Sequence, residues 1–333
     1  TSIVSASGVL TTGAVRRSRL RTRVLILGTG QLARDLCHVL ISRRNRVFDV
    51  IGFLEKDSSR VGERLVNPGI IGTFDQLFGI VERYDVRTIA VCMEDRRAIL
   101  PLQTLLDVKA MGLNVVDGHH LYEKESGRLS IDLLKPSALI FSTGFRRRTL
   151  IMGFKRLMDF VAAVAGLVTL APMFALVGVL VKLDSPGPIF YRQTRVGLGG
   201  KPYRIWKLRS MRHDAEKNGA QWAARDDSRI TPVGRWLRKW RIDELPQLLN
   251  VFRGEMSLVG PRPERPAFVQ ELTNVIPYYD IRNTVRPGIT GWAQISYSYG
   301  SSREDALEKL CYDLYYIKHA SPLFDLSIIF QTI

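Results

Sequence analysis

Two adjacent carboxylates, Asp243 and Glu244, stand directly after a strongly basic stretch and before an apolar run. A carboxylate at a helix N-terminus among arginines stays ionised. Such a carboxylate could attack a phosphorus atom that the same arginines hold. Neighbouring carboxylates also suit Mg²⁺, which takes oxygen ligands and usually bridges to phosphate. The structural alternative is that Asp243 is only a helix N-cap, with Pro246 in the first turn.

Four cations lie in segments that could hold a phosphate. Two strands are predicted on either side of a glycine-rich turn, Gly197 to Gly200. Lys207 and Arg209 are two apart in the second strand and therefore face one side, as a phosphate clamp or equally as a solvated basic edge. Arg262 and Arg286 each stand in a stretch rich in proline and glycine, VGPRPE and RPGITGWAQ. Stiff backbone predicts that each arginine is held toward a ligand, and the alternative is a tight turn with an exposed arginine.

A segment of twenty-two residues without a charge, 160–181, has Pro172 near its middle and basic residues on both sides. About 20 apolar residues can cross a bilayer. Cationic flanks prefer the cytoplasmic side, and here both flanks are cationic. We therefore predict a helix over about 154–183 that enters the membrane, breaks at Pro172 and returns to the same face. A full crossing and a buried, kinked core helix are the alternatives.

The positive charge is concentrated around this segment. The net charge is +16, and residues 146–241 carry 20 Lys and Arg against 6 Asp and Glu. Next to an apolar segment, such a patch favours anionic lipid and phosphorylated substrates over nucleic acid. Residues 233–241 predict an amphipathic helix in which Trp236 and Trp240 lie at the membrane interface or pack on the core. The three separated cysteines predict a reducing compartment, and the histidines show no metal-ligand spacing.

The first part of the chain alternates short apolar runs with helical stretches, which predicts a parallel doubly wound sheet over residues 23–145. The first strand runs into a GxGxxA turn formed by Gly28, Gly30 and Ala33, and Glu55 follows the second strand. Such a turn lets the backbone approach a pyrophosphate, and the acid could hold a ribose hydroxyl. The alternative is a Rossmann-like fold whose glycines only make the turn.

Seven motifs occur in order from residue 150. They are KRLMDF, the proline-containing apolar segment, SPGPIFYRQTRVG, WKLRSM, DELPQLLNV, GEMSLVGPRP and VRPGITGWAQ. In these motifs the chain resembles the bacterial sugar transferases that act on polyprenyl phosphate, the monotopic phosphoglycosyl transferases. The whole chain resembles the larger members, in which a Rossmann-like domain precedes the transferase. Those members usually carry N-terminal transmembrane helices, so we expect residues 1–22 to be a leader or the remnant of an upstream membrane region.

The resemblance implies an α/β chain with a mainly α (α+β) membrane-embedded transferase domain over 146–333. It implies transfer of a sugar 1-phosphate from a UDP-sugar to undecaprenyl phosphate at the cytoplasmic face of the bacterial inner membrane, with Mg²⁺. Asp243 would be the nucleophile, and Glu244 would help bind Mg²⁺ or orient the phosphates. The family's cationic positions match Lys207, Arg238, Arg262 and Arg286, and a late acidic position of open role matches Asp325. Membrane lipid is an implied partner, nucleic acid is not, and a homo-oligomer stays open.

The chain departs from the family pattern at two places, and two other functions stay open as hypotheses. Several members have Ser-Pro at the helix break, where this chain has Ala171-Pro172. Smaller members often follow GWAQ with Asn-Gly-Arg, so the sugar is in doubt here because Tyr297 stands in place of that arginine. A nicotinamide-dependent sugar oxidoreductase or epimerase is the second hypothesis, motivated by the turn of Gly28, Gly30 and Ala33. Tyr203 and Lys207 also match YxxxK, although their segment predicts a strand. The third is a non-catalytic scaffold that binds anionic lipid.

Overall fold

The computed structural model describes residues 21–42, 47–93, 101–130, 149–212, 227–297 and 302–332, and the single residues 145, 215 and 300. The chain divides into two compact units, Thr1–Ser130 and Ile131–Ile333. The predicted boundary between residues 145 and 146 stays a prediction, because 131–144 and 146–148 lie outside the described residues. The predicted leader also lies outside them, up to residue 20.

The N-terminal unit is built on a parallel sheet of five strands in the order β3-β2-β1-β4-β5. Its elements are β1 (Thr22–Leu27), α1 (Gln31–Ser42), β2 (Phe48–Glu55), β3 (Ile70–Thr73), α2 (Leu77–Tyr84), β4 (Thr88–Val91), α3 (Leu102–Ala110), β5 (Asn114–Asp117) and α4 (Gly118–Ser126). The central strand β1 is buried from Val24 to Leu27, as a continuous apolar run predicts. The predicted parallel sheet is confirmed, and β3 is a strand that the sequence analysis did not predict.

The second unit is mixed, with one long helix, a hairpin and short elements. Its elements are α5 (Thr149–Asp184), β6 (Phe190–Val196), β7 (Pro202–Leu208), α6 (Pro232–Lys239), a 3-10 turn (Ile242–Gln247), α7 (Leu248–Arg253), β8 (Ser257–Val259), α8 (Pro266–Val275), a second 3-10 turn (Tyr279–Thr284), β9 (Gly288–Thr290), α9 (Trp292–Ser296), α10 (Arg303–His319) and α11 (Pro322–Thr332). Strands β6 and β7 pair antiparallel, which confirms the two strands predicted on either side of a glycine-rich turn.

Helix α5 continues through Pro172 without interruption. The expectation that the helix breaks there is wrong as a statement about secondary structure. Proline removes one N–H donor and crowds the carbonyl four residues earlier, so it permits a bend while the helix continues on both sides. Among the described residues, α5 is the helix that is long and apolar enough to cross a membrane. Only 17% of its most apolar window is buried, which disfavours the alternative of a soluble core helix.

Both halves of α5 pack on the same unit. In the first half, Ala163 belongs to a buried cluster with Ile205 of β7 and with residues of α7. In the second half, Val177 belongs to a cluster with Leu208, also of β7, and with α6. Neighbouring positions of one hairpin therefore support both halves, while the opposite face of the helix stays exposed and apolar.

Strands β8 and β9 form a short parallel pair that joins the two predicted arginine loops. The crossing requires glycine because the backbones approach too closely for a side chain. A Cβ on Gly260 would lie 2.4 Å from the carbonyl oxygen of Arg286, and one on Gly291 would lie 2.2 Å from the carbonyl oxygen of Gly260. Such contacts are far shorter than carbon and oxygen tolerate, so the glycines allow both loops to meet at one point.

Candidate functional site

A cavity of about 1280 Å³ lies in the second unit and is lined by five of the seven cations and acids predicted for the transferase site. Those that line it are Lys207, Arg238, Asp243, Glu244 and Arg262. Other cations and acids that line it include Arg192, Arg195, Arg209, Arg212, Arg229, Arg241, Glu264, Arg265, Arg282, Lys309 and Asp313. The predicted Arg286 and Asp325 are not among the lining residues. The structure therefore brings together both carboxylates and three of the four predicted phosphate-binding cations.

The carboxylate pair is positioned by a sharp change of direction after α6. Thr231 caps the N-terminus of α6 by accepting a hydrogen bond from the backbone N–H of Gly234. The helix ends at Lys239, and Arg241 takes a left-handed conformation with φ of 54°. The 3-10 turn begins after Arg241, which is therefore the N-cap position. The alternative that Asp243 is merely an N-cap is wrong, since Asp243 lies inside the turn.

Glu244 is the carboxylate that the surrounding cations hold. Its Oε1 atom accepts hydrogen bonds from Lys207 Nζ at 2.7 Å and from Arg262 Nη2 at 2.9 Å. The side chain is 8% exposed. Burial raises the pKa of Glu244, but Arg262 and Lys207 outweigh burial, so the net pKa lies well below its usual range. Burial also lowers the pKa of Lys207, which Glu244 opposes.

Asp243 is equally buried, at 7% exposed, but it is not held in this way. No other described side chain donates a hydrogen bond or forms an ion pair to its carboxylate. Burial raises the pKa of Asp243, and Lys207 and Arg238 act in the opposite direction. The two neighbouring acids thus differ in environment. Glu244 is neutralised by two cations, whereas Asp243 lines the cavity and its carboxylate is hydrogen-bonded only to its own backbone N–H among the described residues.

Two other cations that line the cavity, Arg238 and Arg282, are held by neighbouring groups that the sequence did not predict. Arg238 donates from Nε to Ser210 Oγ at 2.9 Å. Arg282 is buried, forms an ion pair with Asp313 at 2.9 Å and donates to the backbone carbonyl of Arg262. Burial raises the pKa of Asp313 to about 6. No periodicity in the sequence pointed to the pair of Arg282 and Asp313, which lie on two different elements.

The predicted phosphate contact at Arg286 is not part of the cavity. Arg286 donates from Nε to the carbonyl of Gly254 at 2.9 Å, just beyond the C-terminus of α7. Arg156 of α5 bonds the carbonyls of Val251 and Phe252 at the same helix end. Both guanidinium groups therefore satisfy carbonyls that a helix C-terminus leaves unpaired.

Asp325 belongs to a buried network behind the cavity. Its carboxylate accepts from Lys155 Nζ at 2.5 Å and from the hydroxyl of Tyr316 at 2.8 Å. Lys155 and Tyr316 also contact the carbonyl of Val259, at 3.2 and 3.0 Å. Val259 precedes the loop that carries Arg262. Asp325 therefore supports this loop at a distance, through two intermediate side chains.

The N-terminal unit contains a second cavity of about 580 Å³ at the carboxyl ends of its central strands. Gly28 and Gly30 line it, and Gly28 has a φ of 101°, which requires glycine. Ala33 is buried beneath it in α1. Glu55 also lines the cavity, but it already accepts from the Thr29 hydroxyl and pairs with Arg60 at 3.4 Å. Nucleotide binding here stays a prediction.

Among the described residues, no group of three or more His, Cys, Asp and Glu could hold a metal ion by itself. Mg²⁺ is usually bound through one or two carboxylates together with substrate phosphates, which needs no such group. Asp243 and the second oxygen of Glu244 are two neighbouring carboxylate groups of the cavity that could serve as such ligands. Mg²⁺ binding at these two carboxylates together with a substrate phosphate stays a prediction.

Comparison with known proteins identifies the family of this chain. The family model described as bacterial sugar transferase matches residues 150–333. The chain is 45% identical over 212 residues to an UDP-N-acetylgalactosamine-undecaprenyl-phosphate N-acetylgalactosaminephosphotransferase of Aeromonas hydrophila, covering 63% of this chain and 49% of that protein. It is 34% identical over 328 residues to an undecaprenyl-phosphate glucose phosphotransferase of Komagataeibacter xylinus, covering 95% of this chain and 59% of that protein. The chain thus spans about half the length of these two relatives. It belongs to the bacterial sugar transferase family.

Proposed function

We propose that this protein transfers a sugar 1-phosphate from a UDP-sugar to undecaprenyl phosphate, with release of UMP. The relatives named above and a Rhizobium leguminosarum exopolysaccharide production protein support a role in the first membrane step of bacterial glycan synthesis. Their names include both glucose and N-acetylgalactosamine. We therefore propose a UDP-hexose or a UDP-N-acetylhexosamine as the donor.

The observation that carries the proposal is the unequal environment of the two carboxylates. Glu244 is occupied by Lys207 and Arg262, while the oxygens of Asp243 are not engaged by another described side chain. A nucleophile needs an accessible lone pair, and a neighbouring fixed charge can orient the groups around it. Asp243 is therefore the acid suited to attack, and Glu244 is the acid that positions the cations.

The reaction has two displacements at one phosphorus atom. An oxygen of Asp243 forms a bond to the phosphorus attached to the sugar, the bond from that phosphorus to UMP breaks, and UMP leaves with the electron pair. An oxygen of the lipid phosphate then forms a bond to the same phosphorus and releases the carboxylate. Lys207, Arg238 and Arg262 stabilise the charge that develops on the phosphoryl oxygens. Mg²⁺, held by Asp243 and Glu244, would neutralise further phosphate charge.

The contacts of α5 support a re-entrant path with the site on the cytoplasmic face. Near its start, Lys155 pairs with Asp325, and near its end Arg209 donates to the carbonyls of Val181 and Ser185. Asp325 and Arg209 belong to one compact unit. A single straight crossing would place these polar contacts on opposite sides of a hydrocarbon core about 30 Å thick. A bend at Pro172 lets both ends reach the same aqueous side.

Helix α6 supports the same placement. Its Leu237 packs on the second half of α5, and this leaves Trp236 and Trp240 exposed by 47% and 63%. The alternative that these tryptophans pack on the core is therefore disfavoured. Exposed tryptophans beside Arg235 and Lys239 suit the interface between lipid and water.

The oxidoreductase hypothesis loses the support of the YxxxK match. Tyr203 and Lys207 lie on strand β7 and not on a helix, and Lys207 is engaged by Glu244. The scaffold hypothesis leaves the buried carboxylate pair in the cavity without a role. Phosphosugar transfer uses both the cavity and the membrane-facing surface.

The test is UMP release from a panel of UDP-sugars by the full chain in detergent or nanodiscs with Mg²⁺, before any lipid is added. We expect a burst of UMP with one donor and a phosphosugar mass adduct on a peptide that contains Asp243. Asp243→Asn should abolish both. Asp280→Asn is the matched control, because Asp280 is exposed and lies outside the cavity. Turnover without an adduct, or full activity of Asp243→Asn, would refute the assignment.

A further inference from the structure

One cation that lines the cavity has donors without acceptors. Arg209 is 5% exposed, and its Nη2 atom donates to the carbonyls of Val181 at 2.9 Å and Ser185 at 2.5 Å. Its Nε and Nη1 atoms are buried, and no acceptor among the described residues lies within hydrogen-bond distance of them. The guanidinium group therefore holds the end of α5 with one nitrogen and leaves two others unsatisfied.

Leaving charged donors unsatisfied is costly, so their presence in a cavity needs an explanation. A buried donor without a partner loses its bonds to water and gains nothing in return. A lysine would be enough to hold the carbonyls at the end of α5, because one ammonium group can donate to a backbone carbonyl, as Lys182 does to the carbonyl of Gly187. A guanidinium group presents a planar fork that matches the oxygens of a phosphate. The unsatisfied fork indicates an anionic ligand.

The surroundings of Arg209 are cationic on balance. Arg238, bonded to the neighbouring Ser210, lines the same cavity, as do Arg212 and Arg241. Glu244 also lines the cavity, but two other cations, Lys207 and Arg262, already neutralise its charge. Of the other described acids that line the cavity, Glu264 pairs with Arg195 and Asp313 with Arg282, so among the described residues Asp243 is the carboxylate of the cavity without an ion pair.

The distance along the strand separates this anion position from the one beside the carboxylate pair. Lys207 bonds Glu244, and Arg209 follows two residues later on the same side of the chain. Two residues of extended chain span about 7 Å. Two cations at that spacing can each hold a different phosphate group. Arg209 also touches the end of α5, where Leu180 and Leu183 are exposed and apolar.

We propose that Arg209 forms a second phosphate subsite, which takes the phosphate monoester of the prenyl acceptor and is separate from the donor phosphate position beside Asp243. This inference rests on the proposed function and adds which residue receives the acceptor. The apolar chain of the acceptor lies along the exposed end of α5 while its phosphate reaches the guanidinium group. A small movement of the cavity wall brings the phosphate oxygens to Nε and Nη1.

The first test separates the two half-reactions. Arg209→Lys keeps one charge and one donor for the helix carbonyls but removes the fork. We expect UMP release before lipid addition to stay within about twofold of the wild type, and the KM for undecaprenyl phosphate to rise at least tenfold. Arg204→Lys is the matched control, because Arg204 lies on β7, the strand that directly precedes Arg209, is exposed and does not line the cavity. Equal loss in both half-reactions, or an unchanged KM, would overturn the proposal.

The second test uses the wild-type protein and does not depend on a folded variant. Farnesyl phosphate, farnesol and inorganic phosphate are titrated with and without saturating UMP. We expect farnesyl phosphate to bind, its Kd to change less than twofold with UMP, and farnesol not to bind. Competition between UMP and farnesyl phosphate would overturn separate subsites. Inorganic phosphate binding as tightly as farnesyl phosphate would overturn the lipid as ligand. Absence of UMP release from every donor would instead refute the proposed function.

Discussion

Removing the charge of Glu244 should lower the stability of the protein, whereas removing the charge of Asp243 should not. Glu244→Gln leaves the Lys207 ammonium and the Arg262 guanidinium facing each other without the carboxylate that both contact. Breaking a buried ion pair costs about 3–5 kcal/mol. Arg262 is 38% exposed, so solvent screens its share, and the lower end of about 3 kcal/mol is the appropriate estimate.

This cost converts into a measurable change in melting temperature. For a domain of this size, each kcal/mol shifts Tm by about 2–4 °C, so Glu244→Gln should lower Tm by roughly 6–12 °C. Asp243→Asn removes no bond from another described side chain. Because burial raises the pKa of Asp243, the folded state disfavours its charge, and neutralising it should leave Tm unchanged or slightly higher.

The assay is thermal unfolding of the full chain in detergent, followed by intrinsic fluorescence, with Asp280→Asn as the control. Both acidic variants should be inactive, and only Glu244→Gln should be destabilised. Equal destabilisation of the two variants would refute the unequal environments on which the nucleophile assignment depends. An unchanged Tm for Glu244→Gln would show that the two cations do not need their carboxylate for folding.

Three further predictions follow from the same geometry. Burial raises the pKa of Asp243, and only the charged form is a nucleophile. UMP release should therefore fall with decreasing pH at a midpoint above about 4, the pKa of an ordinary aspartate. A lower midpoint in a pH profile of the burst would contradict this. Asp325→Asn should lower kcat about tenfold with donor KM little changed, because it loosens the loop that carries Arg262; an unaltered kcat would refute the supporting role. Replacing Trp236 and Trp240 by Phe should remove most fluorescence quenching by brominated lipids, and unchanged quenching would place α6 away from the interface.

Features set by local periodicity could be predicted from the sequence. The strand from Val24 to Leu27 is a run of apolar residues that is buried on both faces, and such runs identify a central parallel strand. The hairpin of β6 and β7 was recognisable from alternation around a glycine-rich turn. The four-residue strand β3 was missed because Ile70 to Thr73 is too short for a period of two to stand out.

Features set by contacts between distant segments could not be predicted in this way. The proline and glycine pattern placed two arginines in stiff loops, but such a pattern does not determine where each side chain points. Arg262 reaches Glu244, while Arg286 turns to the carbonyl of Gly254. The pair of Arg282 and Asp313 brings together residues on two elements with no shared pattern. The resemblance to the family identified the carboxylate pair, but only the tertiary contacts distinguish its two members.

The backbone from Val259 to Arg262 is bonded at four consecutive residues, and this explains how one arginine is aimed at the carboxylate pair. The Val259 carbonyl accepts from Lys155 and Tyr316, and the Gly260 N–H donates to the carbonyl of Thr290. The carbonyl of Pro261 accepts from the N–H of Gly288, and the carbonyl of Arg262 accepts from the side chain of Arg282.

These bonds fix the backbone during folding, which reduces the entropy cost of ordering Arg262 when substrate binds. Electrostatic stabilisation by a cation is greatest when the cation need not move as charge develops. The glycines at this crossing therefore matter for catalysis as well as for folding, since they let the loops approach closely enough to make these bonds.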